Sequence, residues 1–370
     1  MSDGHHGTRL AGLLLAGTLA GCATPDAAFT VRRGAALDPG PAVAPVPGAL
    51  RVLHLADFGD QTPQQAAVAG GVAAAHARAP FALALFPGDN LYPCGPDAGR
   101  PGAEDCAFAA DASTVAHPPT GVDPRFDRLH EGPLAGLAVG AAPPVYLALG
   151  NHDVATWPTC GTLDVPTAEA ARRKACAEVA HRGQRWRMPA RHYVLDQGPA
   201  RFVVIDSNVI YADYGGFTLA AEVAFVQEAV RGCEARHCFL VGHHPPTTAG
   251  THVSDFSAER SQRFSRLLQA AGPSLRGVLA GHDHDLQHLR TATGLDVFVS
   301  GNGSSARINE RFERVADAGE LLFATVRPGY AVLSAHASGW DYRFEDAGGA
   351  PLYCCTAAGS GRCQPTRCAP

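Results

Sequence analysis

Six short apolar runs, five of them ending in a polar signature, constrain the fold of this chain more than any other feature. They are RVLHLAD (51–57), FALALF (81–86), PVYLALG (144–150), RFVVID (201–206), CFLVG (238–242) and GVLAG (277–281). Their length and aliphatic content are those of buried strands. Helical stretches lie between several of them. Gln64 to Ala77 is Ala-rich, and Leu219 to Val230 and Glu259 to Ala271 place apolar residues on one face. Strands alternating with helices predict an α/β architecture.

The polar signatures fall at Asp57-Phe58-Gly59-Asp60, Gly88-Asp89-Asn90-Leu91-Tyr92, Gly150-Asn151-His152-Asp153, Gly242-His243-His244-Pro245 and Gly281-His282-Asp283-His284. In open α/β sheets, sites gather beyond the carboxyl ends of the strands, so these five ends are expected to converge. Carboxylate, amide, phenolate and imidazole donors suit iron, zinc or manganese better than copper(I). Asp57, Asp89, Tyr92, Asn151, His282, His284 and one of the adjacent His243 and His244 exceed the needs of one four-coordinate ion. They serve two ions if one carboxylate bridges. Residues i and i+2 of extended chain point the same way, which favours His282 with His284 as a pair. Glycines before the ligands let the backbone turn sharply.

The remaining features concern export and organisation. Arg9 precedes an apolar stretch from Leu10 to Ala20 that is too short to span a bilayer. It ends at Leu19-Ala20-Gly21-Cys22, which resembles a bacterial lipobox, whose Cys carries lipid and becomes the mature N-terminus. An ordinary signal peptide is the alternative. Ala23 suggests sorting to an outer membrane, so the expected location is the bacterial periplasm or cell surface. Membrane contact would then run only through the lipid. Ten further cysteines, none in a C-x-x-C pair, indicate disulfides formed in an oxidising compartment. A thiolate zinc site is the alternative. Cys94 with Cys106, and Cys160 with Cys176, are the expected neighbouring pairs. Residues 23–48, rich in Pro and Ala, read as a flexible spacer after the signal at 1–22. A single domain is expected over 49–350, interrupted by long loops at 93–123 and 154–185. Its last strands lie near GYAVLSAHA and WDYRFEDA, and a Cys-rich tail follows over 351–370. The net charge of -5, without a basic run, argues against a nucleic-acid partner.

The ordered motifs resemble the calcineurin-like metallophosphoesterase superfamily, and within it the short, animal-type and bacterial purple acid phosphatases. The family elements D-x-G, G-D-x-x-Y, G-N-H-D or E, H-x-P and G-H-x-H are all present, and the likeness covers about residues 50 to 345. It implies a four-layer αββα sandwich of two mixed β-sheets flanked by helices. It also implies a ferric ion at Asp57, Asp89, Tyr92 and His284. Asp89 would bridge to a second ion, Fe(II), Zn or Mn, completed by Asn151, His243 and His282. H-x-P leaves one residue between ligand and proline, which assigns His243 and leaves His244 facing the pocket. His152 would lie near the phosphate. His252, nine residues after His243, would lie on the substrate side. Gly59 stands where most of the superfamily has His, and by the resemblance that ligand role would pass to Tyr92. The implied activity is acid phosphatase hydrolysis of a small phosphate monoester. Two cations clamp the phosphate and make hydroxide available, and His252 or His152 assists the phosphoryl oxygens or the leaving group. A phosphodiesterase or nucleotidase on the same centre is the alternative enzyme. A phosphate-binding lipoprotein without turnover is the alternative of a different class. His54 is expected in the core, and His192, His237, His288 and His336 as structural or surface residues.

Overall fold

The apolar runs form the parallel centres of two eight-stranded sheets in the computed structural model, which describes residues 30–99, 123–138, 142–155, 160, 167–307 and 311–369. The strands are β1 (Thr30–Arg32), β2 (Leu50–His54), β3 (Leu83–Pro87), β4 (Val145–Ala148), β5 (Trp186–Arg187), β6 (Tyr193–Gln197), β7 (Ala200–Val204), β8 (His237–Val241), β9 (Leu275–Ala280), β10 (Leu286–Arg290), β11 (Asp296–Ser300), β12 (Glu320–Thr325), β13 (Gly329–His336), β14 (Gly339–Asp346), β15 (Pro351–Ala358) and β16 (Gln364–Thr366). The helices are α1 (Pro63–Arg78), α2 (Pro124–Phe126), α3 (Thr167–Ala180), α4 (Asn208–Tyr211), α5 (Leu219–Ala229) and α6 (Ala258–Ala271). One sheet has the order β16-β15-β14-β13-β2-β3-β4-β5, the other β1-β12-β10-β11-β9-β8-β7-β6. In the first, β2 to β5 are parallel; in the second, β7, β8, β9 and β11 are. With helices on the flanks, this is the αββα sandwich of two mixed sheets.

The sheets pack face to face, which is why β3, β8 and β11 are buried at every residue and read as unbroken apolar runs. Phe298 of β11 stacks on Tyr342 of β14 at 3.9 Å. His54 of β2 joins the layers, as a core residue. Its Nδ1 lies 2.6 Å from the Tyr342 hydroxyl and its Nε2 3.0 Å from the Ala280 carbonyl of β9. Thr62, Thr218 and Ser257 cap α1, α5 and α6 through their side-chain oxygens, relieving backbone N–H groups left open at each helix start.

Four features differ from the reading of the sequence. β2 ends at His54, three residues short of Asp57, because the chain leaves the sheet toward Asp57, whose φ is +54°. The second loop insertion holds α3, a helix of Ala, Arg, Lys and Glu whose propensity outweighs its weak apolar pattern. From residue 30, the expected spacer is docked. β1 pairs with β12, Ala36 is buried, and the Gly40 N–H donates to the Pro365 carbonyl. The Cys-rich tail supplies β15 and β16 to one sheet, closed by Cys354–Cys368 and Cys355–Cys363. Adjacent residues of a strand face opposite sides, so each of these two cysteines meets its own partner.

The expected pairs Cys94–Cys106 and Cys160–Cys176 are overturned, since Cys94 bonds Cys160. β3 and β4 are parallel neighbours, and the segments leaving their carboxyl ends meet in space although far apart in sequence. Cys233 pairs with Cys238. Cys106, Arg9 and the Cys22 motif lie outside the described residues. Among the described residues, no helix is long and apolar enough to cross a membrane.

Burial holds the imidazoles of His54 and His130 at about 3. In the unfolded chain they protonate near 6.5. The stability they contribute is present above pH 6.5 and is lost as pH falls from there toward 3. His130→Phe, which removes one such group, should therefore lose less melting temperature than wild type between pH 6.5 and 4. Equal losses in the two proteins contradict the assignment.

Candidate metal centre

The carboxyl ends of β2, β3 and β4 from one sheet meet those of β8 and β9 from the other. This brings all seven expected ligands to one place. The backbone there is unusual. Asp57, Asp89 and His282 have φ of +54°, +53° and +73°, a region that side chains rarely adopt and that concentrates at functional sites. Gly88 has φ of +91°, and a Cβ there would stand 2.7 Å from the His243 ring. A Cβ on Gly150 would stand 2.2 Å from Asp89 Oδ1. Close approach, as much as turning, therefore demands these two glycines.

The side chains form two groups sharing one carboxylate. In the first, the Tyr92 hydroxyl lies 3.0 Å from Asp57 Oδ1, 2.7 Å from Asp89 Oδ2 and 3.1 Å from His284 Nε2. His284 Nε2 is 3.5 Å from Asp57 Oδ1. In the second, His243 Nε2 lies 2.9 Å from Asn151 Oδ1, 3.3 Å from His282 Nδ1 and 3.4 Å from Asp89 Oδ1. Asp89 thus turns one oxygen to each group.

Electrostatics fit a cation here. Burial, and then the charge of Asp89, push the Asp57 carboxyl well above its ordinary range. Burial raises Asp89 too, but His243, His152 and the Tyr92 hydroxyl outweigh it and hold Asp89 at about 2. Burial, Asp57 and Asp89 raise the Tyr92 phenol well above 10. Burial keeps His282 and His284 at about 3, so both are neutral donors. Two buried carboxylates, a phenol and imidazoles crowd within hydrogen-bond distance of one another, and the crowding itself raises Asp57 and Tyr92. Donors of these types so arranged fit a bound cation.

The other expected residues border this centre. His244 Nδ1 is 2.8 Å from Ser207 Oγ, and its ring is 4.2 Å from Tyr211. Its ring donor also falls within 4.8 Å of those of His243 and His282. His152 lies 4.4 Å from the Tyr92 ring, donates through Nδ1 to the Pro93 carbonyl and places Nε2 4.0 Å from Asp89 Oδ2. His252 packs 3.9 Å from the His282 ring, with Nδ1 3.0 Å from Asp255 Oδ2.

Five supporting residues carry no role in the sequence reading. Asp153 accepts the N–H groups of Asn90, Leu91 and Gly150, clamping the second and third motifs together. Ser305 Oγ lies 2.6 Å from His284 Nδ1. Ser207 and Tyr211 follow β7, so the strand-end rule applied to RFVVID would have found them. Asp153 sits inside a motif already singled out. Asp255 and Ser305 leave no sequence signal.

Residues 50–286 match the family described as calcineurin-like phosphoesterase. No curated protein matches the chain by sequence. Solved structures share the fold at low identity. GAP50, the anchor in the inner membrane complex of Plasmodium, aligns with TM-score 0.62 at 16% identity, covering 85% of this chain and 90% of that one. The purple acid phosphatase PPD1 from yellow lupin (Lupinus luteus) seeds aligns with TM-score 0.58 at 14% identity, covering 86% of this chain and 55% of that one. PhoD aligns with TM-score 0.54 at 13% identity, covering 90% and 74%.

Proposed function

The chain belongs to the calcineurin-like phosphoesterase family, and from that premise we propose that it is an acid phosphatase hydrolysing phosphate monoesters at a two-metal centre. The observation that carries this reading is Asp89, with one oxygen in each of two donor groups. Asp57, Asp89, Tyr92 and His284 would hold a ferric ion. Asp89, Asn151, His243 and His282 would hold Fe(II), Zn or Mn. Two such cations supply charge neutralisation for the phosphoryl oxygens and lower the pKa of water.

The remaining work falls to the rim. With Nδ1 occupied by Asp255, His252 has Nε2 to hold or give a proton at the leaving oxygen. The carbonyl of Pro93 fixes the Nδ1–H tautomer of His152 and leaves Nε2 on the Asp89 side. Ser207 and Tyr211 hold His244 against the pocket wall.

The test is hydrolysis of an aryl phosphate monoester, beside the matching diester, by metal-analysed protein. Faster cleavage of the monoester is expected. Preferred cleavage of the diester would move the assignment to a phosphodiesterase. No cleavage of either would leave a phosphate-binding role without turnover. The complete donor set favours turnover here.

Tyr92 reports the first metal. A phenol raised by burial and two carboxylates loses its proton only beside a strong cation. Bound to ferric iron, the phenolate absorbs visible light. Iron-loaded protein should be pink to violet, and Tyr92→Phe colourless with its fold retained. Colour that survives the substitution would assign it to another tyrosine.

The four disulfides among the described residues fit export. We read the chain as a periplasmic or surface lipoprotein anchored at Cys22. Membrane fractionation should find wild type with membranes and Cys22→Ser released or unprocessed. Equal partition of the two, with the signal removed elsewhere, rules the anchor out.

A further inference from the structure

One flank of the candidate centre carries a cation that the chemistry above does not employ. α4 brings the Tyr211 hydroxyl to 3.5 Å from His282 Nε2 and its ring to 4.2 Å from His244. The guanidinium carbon of Arg260 lies 4.0 Å from the centroid of that same ring. Arg260 Nη1 donates to the Asp255 carbonyl at 2.5 Å. Among the described residues, no carboxylate pairs with Arg260. The side chain is half-buried.

Local stability does not ask for arginine at this position. Arg260 is the third residue of α6, whose N-terminal end carries positive partial charge and disfavours a cation. The ring of Tyr211 offsets this through a cation–π contact. A guanidinium has five N–H donors in a planar fork, and one carbonyl accepts only one of them. The rest of the fork is matched to a carboxylate or a phosphate.

We propose that Arg260 is a specificity residue that reads a second anionic group, carboxylate or phosphate, on the leaving alcohol of the substrate. Tyr211 holds it one ring away from the centre, beside His282 and His252, on the leaving-group side. This rests on the phosphatase reading above. The scissile phosphate is neutralised at the centre itself, so Arg260 discriminates through the rest of the molecule. Small phosphomonoesters with a second negative charge are the favoured substrate class.

The experiment compares kcat/KM for phenyl phosphate, 4-carboxyphenyl phosphate and propane-1,3-diyl bisphosphate on the metal-loaded full chain. The ratio of a charged to the neutral ester, taken on one preparation, is independent of the folded fraction. Wild type should favour one or both charged esters, and the two arms show which anion is read. Arg260→Gln should lower that ratio about 10-fold or more, the weight of a charge-assisted hydrogen bond. Arg260→Lys should keep only part of it, having charge but no fork. Arg307, exposed beside His284, is the control for general electrostatic attraction. A ratio unchanged in Arg260→Gln overturns the proposal, and so does an equal fall in Arg307→Gln. If wild type cleaves none of the three esters, the phosphatase reading has failed. If it cleaves all three with a ratio indifferent to Arg260, only this inference has.

Discussion

Asp89→Asn should empty both metal positions and lower kcat for an aryl phosphate by roughly 10³-fold or more. Two metal ions supply several kcal/mol of transition-state stabilisation, and about 1.4 kcal/mol is tenfold in rate. Asp89 is the one side chain shared by the two donor groups. Asn has the same size but no charge, and its NH₂ would turn a donor toward atoms that need an acceptor. Because Asp89 is held at about 2, the wild-type carboxylate is charged at every working pH. His243, His152 and Tyr92 favour the charged carboxylate, so the metal-free variant should remain folded but melt below metal-free wild type. Metal analysis with melting of the metal-free forms separates loss of the site from loss of the fold. Retention of two ions by Asp89→Asn would show that another carboxylate bridges.

The second large effect distinguishes adjacent histidines. His243→Ala should lose the second ion and nearly all activity, because its Nε2 faces both Asn151 and Asp89. His244→Ala should keep both ions and change KM or rate, since its Nδ1 is committed to Ser207. Metal content of the two proteins decides between them. The reverse pattern would mean that the H-x-P register is shifted by one residue.

Much of this was legible because buried parallel strands and their polar ends leave a local mark. Unbroken apolar runs identified the central strands, and the strand-end rule singled out Asp57, Asp89, Asn151, the adjacent His243 and His244, and His282, which the fold brings together. The unread parts are those where distant segments decide the outcome. Cys94 and Cys160 pair because β3 and β4 are neighbours in a sheet, a fact absent from any window around either residue. The docking of residues 30–40 depends on an edge offered by β12 and β16, and the composition of that segment resembles a loose linker. Ser305 and Asp255 hold His284 and His252 from irregular segments, which carry no periodicity to read.

The most direct test of the two-metal claim is aryl phosphate hydrolysis titrated against bound metal, starting from stripped protein. Turnover should be negligible without metal and reach its full value at two ions per chain. Full activity in stripped protein, or none with two ions bound, would contradict it.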